Sequence, residues 1–196
     1  TVKTIGLQWF KVLAIEGDQS NATIQRSERP KEKIKDILRY RFASYEDLLI
    51  NICERTDGLR SPAIFQELEC IGDAVLGGLV AAWLMRHLRP AADEGLLSQA
   101  RSDLVSNTWL AVRMARRFPG DLLLEIFFGK NHPEAAAVEE FMEKVLEIGR
   151  ESTDHLLQLQ EDFRSLASIN APKCVADIYE ALMALVFIDS HGDMDT

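Results

Sequence analysis

At 196 residues and 47% apolar content, the chain can bury one well-cored domain with a short appendage. Its net charge of -9 weighs against a uniformly basic nucleic-acid-binding surface. With no uninterrupted apolar run of about 18 residues and no basic-then-apolar start, neither a membrane span nor a signal peptide is indicated, and the chain reads as soluble.

The first segment in chain order, Thr1 to Leu13, places Ile5, Trp9 and Val12 at helical spacing and reads as a short helix. A polar stretch from Glu16 to Asp36 lacks apolar periodicity and reads as a linker. The organisation expected is therefore a short helix and linker over 1–33, then one domain over 34–196. From Ile34 onward the pattern is helical, with helices expected over Tyr45–Arg55, Ala63–Leu88, Ser98–Arg117, Ala135–Glu147 and Cys174–Asp189. Strand-like alternation is absent, so the fold class is all-α. Pro62 suits a first helical turn, Arg89-Pro90 and Phe118-Pro119-Gly120 suit helix stops, and Pro172 suits the start of the last helix.

Charge and cysteine usage narrow the chemistry. Between Glu134 and Arg164 nine acidic residues face three basic ones, so this segment carries most of the negative charge and leaves the rest close to neutral. Val138, Phe141, Met142 and Val145 form an apolar stripe there, which makes it a helix with a solvated acidic face. Cys53, Cys70 and Cys174 leave an odd thiol and form no CxxC pair, pointing to a reducing compartment and away from a zinc module. The expected location is the cytoplasm, with the nucleus as the alternative. Cys70 and Cys174 read as packing residues. His87, His132, His155 and His191 are scattered singly and suggest no histidine site.

Two apolar helices carry the informative acids. Asp73 precedes twelve uncharged residues, Ala74 to Met85, in a helix expected to be largely buried. Glu69 lies four residues earlier, about 40° away on the same face. In the last helix Asp177 and Glu180, three residues apart, precede the apolar run Ala181 to Ile188. Buried carboxylates need cations, strong hydrogen bonds or a wet cleft. One reading is that each pair favours the positive end of its helix dipole. The other is a shared hard-metal site, where all-oxygen ligands suit Mg2+ or Mn2+.

These residues also carry a resemblance. Phe65 to Leu76 (FQELECIGDAVL), Glu94 to Asn107 (EGLLSQARSDLVSN) and Ala171 to Leu182 (APKCVADIYEAL) are similar, in order and spacing, to three motifs of the ribonuclease III family. The likeness covers roughly Ile34 to Ser190. The long acidic segment between Phe118 and Pro172 resembles the expanded middle of the second ribonuclease III domain in Dicer-type enzymes, an insert at about 118–171.

The resemblance implies the helical endonuclease fold, dimerising through the signature helix. It also implies a Mg2+-dependent endoribonuclease acting on double-stranded RNA in small-RNA production, with Mn2+ as a substitute. The metal ligands carry over to Glu69, Asp73, Asp177 and Glu180, with Lys173 beside the active site and at the scissile phosphate, a structural salt bridge being the alternative for Lys173. Gln66, Arg101 and Asn107 are further candidates for RNA contact, Arg101 and Asn107 being read first as ties between helices. Lys173, Arg101 and Arg113 are expected near the RNA path. The partner is a second ribonuclease III domain, supplied by a second copy when the chain is isolated, and the Gly77-Gly78 pair would permit close helix approach.

Two positions depart from the family pattern. Glu67 stands where arginine is usual and Cys70 where phenylalanine is usual, which bears on pairing rather than on chemistry. The rival reading is a ribonuclease-III-like scaffold without catalysis, serving assembly or RNA binding.

Overall fold

The computed structural model describes residues 30–53, 62–88, 93–118, 121–128, 132–148 and 169–192. These form eight helices, and no strand occurs among the described residues: α1 (Pro30–Leu38), α2 (Leu48–Cys53), α3 (Pro62–Leu88), α4 (Glu94–Leu104), α5 (Asn107–Arg117), α6 (Leu122–Phe127), α7 (Ala135–Ile148) and α8 (Lys173–Asp189). The all-α expectation holds. The helix expected over Thr1–Leu13, the polar stretch before Pro30 and the latter half of the acidic segment, 149–168, lie outside the described residues.

Everything is arranged around α8. Thirteen of its seventeen residues are buried, so it is a core helix clad on all sides rather than an amphipathic surface helix. Its chief neighbours are α3 and α5. One apolar cluster gathers Ile178, Leu182 and Leu185 of α8 with Phe65 and Val80 of α3, Val112 and Met114 of α5, and Phe141 of α7. A smaller one joins Leu76 and Leu79 of α3, Leu110 of α5, and Ala176, Met183 and Val186 of α8.

The α3–α8 contact is close because of one glycine. Gly72 is buried, and a Cβ at this position would overlap the backbone carbonyl of Glu180. Glycine inside a helix costs up to about 1 kcal/mol relative to alanine. That cost is offset by the approach of two backbones that a side chain would hold apart. Gly77, also buried, faces Arg101 of α4, whose Nη2 would lie 2.8 Å from an added Cβ, whereas nothing lies within 4 Å of one at Gly78. The glycine pair thus does two different things: Gly77 admits α4, and Gly78 leaves the far side of α3 shallow.

Several sequence expectations are corrected. The span Ser98–Arg117 is not one helix. It breaks at Val105 and Ser106, where the Ser106 hydroxyl donates to the Asp103 carbonyl at 2.7 Å and accepts from the Trp109 amide at 3.3 Å, capping α5 afresh. The polar stretch read as linker up to Asp36 is helical from Pro30, with Ile34 fully buried. The short helix α6 breaks the stretch before α7; its residues Leu123, Ile126 and Phe127 are buried.

Nor is α3 largely buried. Glu67, Cys70, Ile71, Ala74, Gly78, Ala82 and Met85 form an exposed stripe, so Cys70 is not a packing residue here. Ala63–Leu88 is long and apolar enough, by length and composition, to cross a membrane, though only a third of its most apolar window is covered within this chain. The acidic face of α7 behaves as expected: Val138, Phe141, Met142 and Val145 are buried, while Glu139, Glu140, Glu143 and Glu147 face solvent.

At the far end of α8, Asp189 fastens the α1–α2 connection. It is 3% exposed and accepts from the Tyr40 hydroxyl (2.9 Å) and from the amides of Ala43, Ser44 and Tyr45 (2.8 Å each). Burial alone would raise its pKa, but these hydrogen bonds outweigh burial and hold the carboxyl below its usual range.

Two substitutions at these glycines separate the close crossing from the open face. Gly72→Ala should destabilise the chain by about 3 kcal/mol or more, because a backbone rather than a flexible side chain must give way. Gly78→Ala, with open space around it, should be neutral or stabilising by up to about 1 kcal/mol. Urea denaturation of both variants checks this, and equal effects would remove Gly72 from its role at the crossing.

Candidate metal centre

Four acids reach the α3–α8 crossing from the two helices. Taking about 100° per residue, Glu69 lies about 60° round α3 from Gly72, near the contact line with α8. Asp73 lies about 100° round on the same side, farther from the contact and with a side chain one methylene shorter. On α8, Glu180 sits at the crossing itself, since its own carbonyl meets Gly72. Asp177 is one turn earlier.

The structure brings Glu69, Asp177 and Glu180 into one group, with an oxygen from each within 4.8 Å of the others. Asp177 and Glu180 are buried and Glu69 half-buried, whereas Asp73 is exposed. Asp73 stands outside this tight group, yet its charge is felt at Glu180. So three of the four expected ligands converge and the fourth flanks them.

Lys173, the first residue of α8, lies across the acids. Its Nζ donates to Asp177 Oδ1 at 2.6 Å and to Glu69 Oε1 at 2.9 Å. The hydrogen bond to Asp177, then that to Glu69, keeps its pKa well above the ordinary lysine range. Glu180 is affected in the opposite sense to a salt-bridged acid. Burial first, then the neighbouring charges of Asp73, Asp177 and Glu69, push its pKa from 4.5 up to about 7, and Lys173 only partly counters them.

A compact set of carboxylate oxygens, half withdrawn from water and crowded enough to hold a proton near neutrality, fits a hard divalent cation. The residues that would hold it are Glu69, Asp177 and Glu180, with Asp73 at the margin. The lysine ammonium rests between two of these acids, so their oxygens are already turned toward one positive charge. The helix-dipole reading is weaker, because the acids lie well inside both helices, α3 from Pro62 and α8 from Lys173.

Comparison with known proteins bears on the same stretch of chain. Residues 66–191, which contain all four acids and Lys173, match the family model of the ribonuclease III domain. The chain belongs to the ribonuclease III domain family. It is similar to Endoribonuclease Dcr-1 of Drosophila melanogaster, 28% identical over 132 residues, which are 67% of this chain and 6% of that protein. It is similar to Endoribonuclease Dicer homolog 1 of Arabidopsis thaliana, 28% identical over 201 residues, or 95% of this chain and 10% of that protein. With Endoribonuclease Dicer of Gallus gallus it shares 31% identity over 136 residues, 67% of this chain and 7% of that protein. The chain thus spans a tenth or less of each of these relatives. No solved structure matches it.

The remaining candidates separate. Gln66 and Asn107 are exposed, one turn before Cys70 on α3 and at the start of α5. Arg101 donates from Nε to the Gly77 carbonyl at 3.3 Å, tying α4 to α3, in line with the structural reading. Arg113 lays its guanidinium over the Trp109 ring, 4.5 Å from the centroid, and is engaged within the fold. Sequence reasoning missed Gly72 as the residue that lets the carboxylates meet. Its signal was a glycine immediately before Asp73 in a helix otherwise rich in larger apolar residues.

The raised pKa of Glu180 makes a stability prediction for metal-free protein. The folded state holds this proton more tightly than the unfolded chain, so stability falls as pH rises from about 4.5 to about 7. Glu180→Gln removes that loss. It should be more stable than the parent by about 1–3 kcal/mol at pH 8 in chelator, with the difference vanishing near pH 4.5. Denaturation at the two pH values checks it, and a variant weaker than the parent at both would mark Glu180 as a structural hydrogen-bonding residue instead.

Proposed function

We propose that this chain is the endonuclease domain of a Dicer-type enzyme, hydrolysing the phosphodiester bonds of double-stranded RNA in small-RNA production. It would act as the second of two paired ribonuclease III domains. The observation that carries the reading is the carboxylate group at the α3–α8 crossing, inside the ribonuclease III match. Mg2+ is the cation best suited to the all-oxygen donor set, with Mn2+ as a substitute. When bound, such a cation offsets phosphate charge and lowers the pKa of water, making a nucleophile at neutral pH.

The protein's own residues supply the rest. Glu69, Asp177 and Glu180 would hold the cation from two packed helices, and Asp73 lies on the solvent side from which a substrate would approach. Lys173 supplies a positive charge for the scissile phosphate. Exposed Gln66 and Asn107 are the candidates for contact with the duplex, whose recognition rests on phosphates and 2′-hydroxyls rather than sequence. The second-domain assignment is supported by the expanded acidic middle of the chain, to which helix α7 belongs.

The exposed stripe on α3 is the pairing surface in this reading. Ile71 (38% exposed) and Met85 (42%) are large apolar side chains in water, with Ala74, Gly78 and Ala82 between them on one face. A self-complementary helix face of this kind suits two-fold pairing. Each site would then cut one strand of the duplex.

Labelled duplex RNA incubated with the chain, with Mg2+ or with EDTA, tests the activity. Cleavage should require the cation, and Glu180→Gln should reduce it by roughly a hundredfold or more while duplex binding persists. Binding without cation-dependent cleavage would favour the scaffold reading. For pairing, the isolated chain should sediment as a dimer at micromolar concentration, and Ala74→Glu should shift it to monomer by placing a charge in the centre of the stripe. A parent chain that is monomeric throughout would count against α3 as the pairing face.

A further inference from the structure

Lys173 is poorly placed by local rules. It opens α8, where the positive end of the helix dipole disfavours a cation, and its long side chain loses rotamer freedom when held in one position. What holds it is the pair of hydrogen bonds to Asp177 Oδ1 (2.6 Å) and Glu69 Oε1 (2.9 Å). Those two residues and Glu180 make up the group whose oxygens lie within 4.8 Å of one another. The ammonium therefore rests on the same donor set that would hold a divalent cation.

The two occupants conflict. An ammonium draws carboxylate lone pairs toward a nitrogen nearly 3 Å away, while Mg2+ requires its oxygens at about 2.0–2.1 Å in a near-octahedral shell. Two cations a few ångströms apart also repel one another. The lysine, however, has somewhere to go. Its side chain is 62% exposed, against 12% for Asp177 and 27% for Glu69, so it can swing into solvent without disturbing the packed helices.

We propose that Lys173 is the built-in counter-ion of this carboxylate site and is exchanged for the divalent cation on loading, so that its departure from Glu69 and Asp177 sets the apparent cation affinity. The inference rests on the reading of these acids as a cation site. In the cation-free state Lys173 neutralises part of the crowded negative charge and keeps Glu69 and Asp177 turned toward each other across the two helices. In the loaded state it stands free at the mouth of the site, its charge available to an incoming phosphate. One residue thereby serves the two states in turn.

The test titrates Mg2+, and separately Mn2+, calorimetrically into chelator-stripped chain, using the parent, Lys173→Met and Lys173→Arg, with thermal melting of each variant with and without Mg2+. Methionine keeps much of the stem and removes the charge; arginine keeps a competing cation. Lys173→Met should bind the first cation roughly tenfold more tightly, a change of about 1.4 kcal/mol. It should also melt at a lower temperature in chelator and gain more from Mg2+ than the parent does. Lys173→Arg should stay within about threefold of the parent. If Lys173→Met folds poorly in chelator, Lys173→Gln provides the same comparison with a neutral side chain that can still hydrogen-bond.

Unchanged or weaker binding by both neutral variants, with a parent that binds normally, would overturn the exchange while leaving the cation site intact. If neither the parent nor the variants bind either ion, the cation reading itself falls, and Lys173 is an ordinary salt bridge between helices.

Discussion

The contact between Gly72 and the Glu180 carbonyl governs the arrangement of the acids, because these are divided between two helices and meet where the backbones approach most closely. Carboxylate side chains reach only a few ångströms, so the meeting of acids from α3 and α8 calls for a close crossing. A glycine at the crossing point supplies it. The acids then fall into place by helical geometry alone: Glu69 near the contact line, Asp73 farther round, Glu180 at the crossing and Asp177 one turn away. The same geometry explains why three acids converge and the fourth remains exposed.

Crowding these acids has an electrostatic cost, met in three ways. Lys173 bridges Glu69 and Asp177, which places one positive charge among them. Glu180, the most buried of the set, holds its proton to about pH 7. Asp73 stays in solvent outside the tight group, so that it keeps its hydration although its charge still raises the Glu180 pKa. Asp189, at the other end of α8, shows the contrast. It is as deeply buried as any acid described, but the Tyr40 hydroxyl and three amides satisfy it, and it holds its proton less firmly than an ordinary aspartate. One carboxylate is held by four hydrogen bonds from the fold and is structural; Glu69 and Asp177 instead gather around a half-exposed lysine beside Glu180, in the arrangement read as a cation site.

The net charge of -9, unpromising for a protein that would meet RNA, is resolved by location. On α7 the glutamates face outward from the buried Val138–Phe141–Met142–Val145 stripe, away from the side that packs on α5 and α6. The acids at the crossing are instead gathered into one compact group, the one proposed to hold a cation. Negative charge thus plays two unrelated parts in one chain, and the bulk value describes neither.

Much of this was legible from residue order. The charge-free run after Asp73 and the apolar run after Glu180 announced two helices with acids set into them, and their i,i+4 and i,i+3 spacings put each pair on one face, because helical periodicity is a local property of the backbone. Pro62 and Pro172 marked helix starts for the same reason: a missing N–H and a fixed φ act wherever they occur. Only the tertiary structure could decide the rest. The break at Ser106 depends on a hydroxyl choosing backbone partners inside an otherwise continuous helical pattern. The exposure of Ile71 and Met85 depends on which side of an almost wholly apolar helix finds neighbours, and such a helix carries no stripe to say. That Lys173, besides its neighbour Asp177 one turn along, reaches Glu69, and that Gly72 meets Glu180, are facts about residues more than a hundred positions apart, which no local rule relates until α3 and α8 cross.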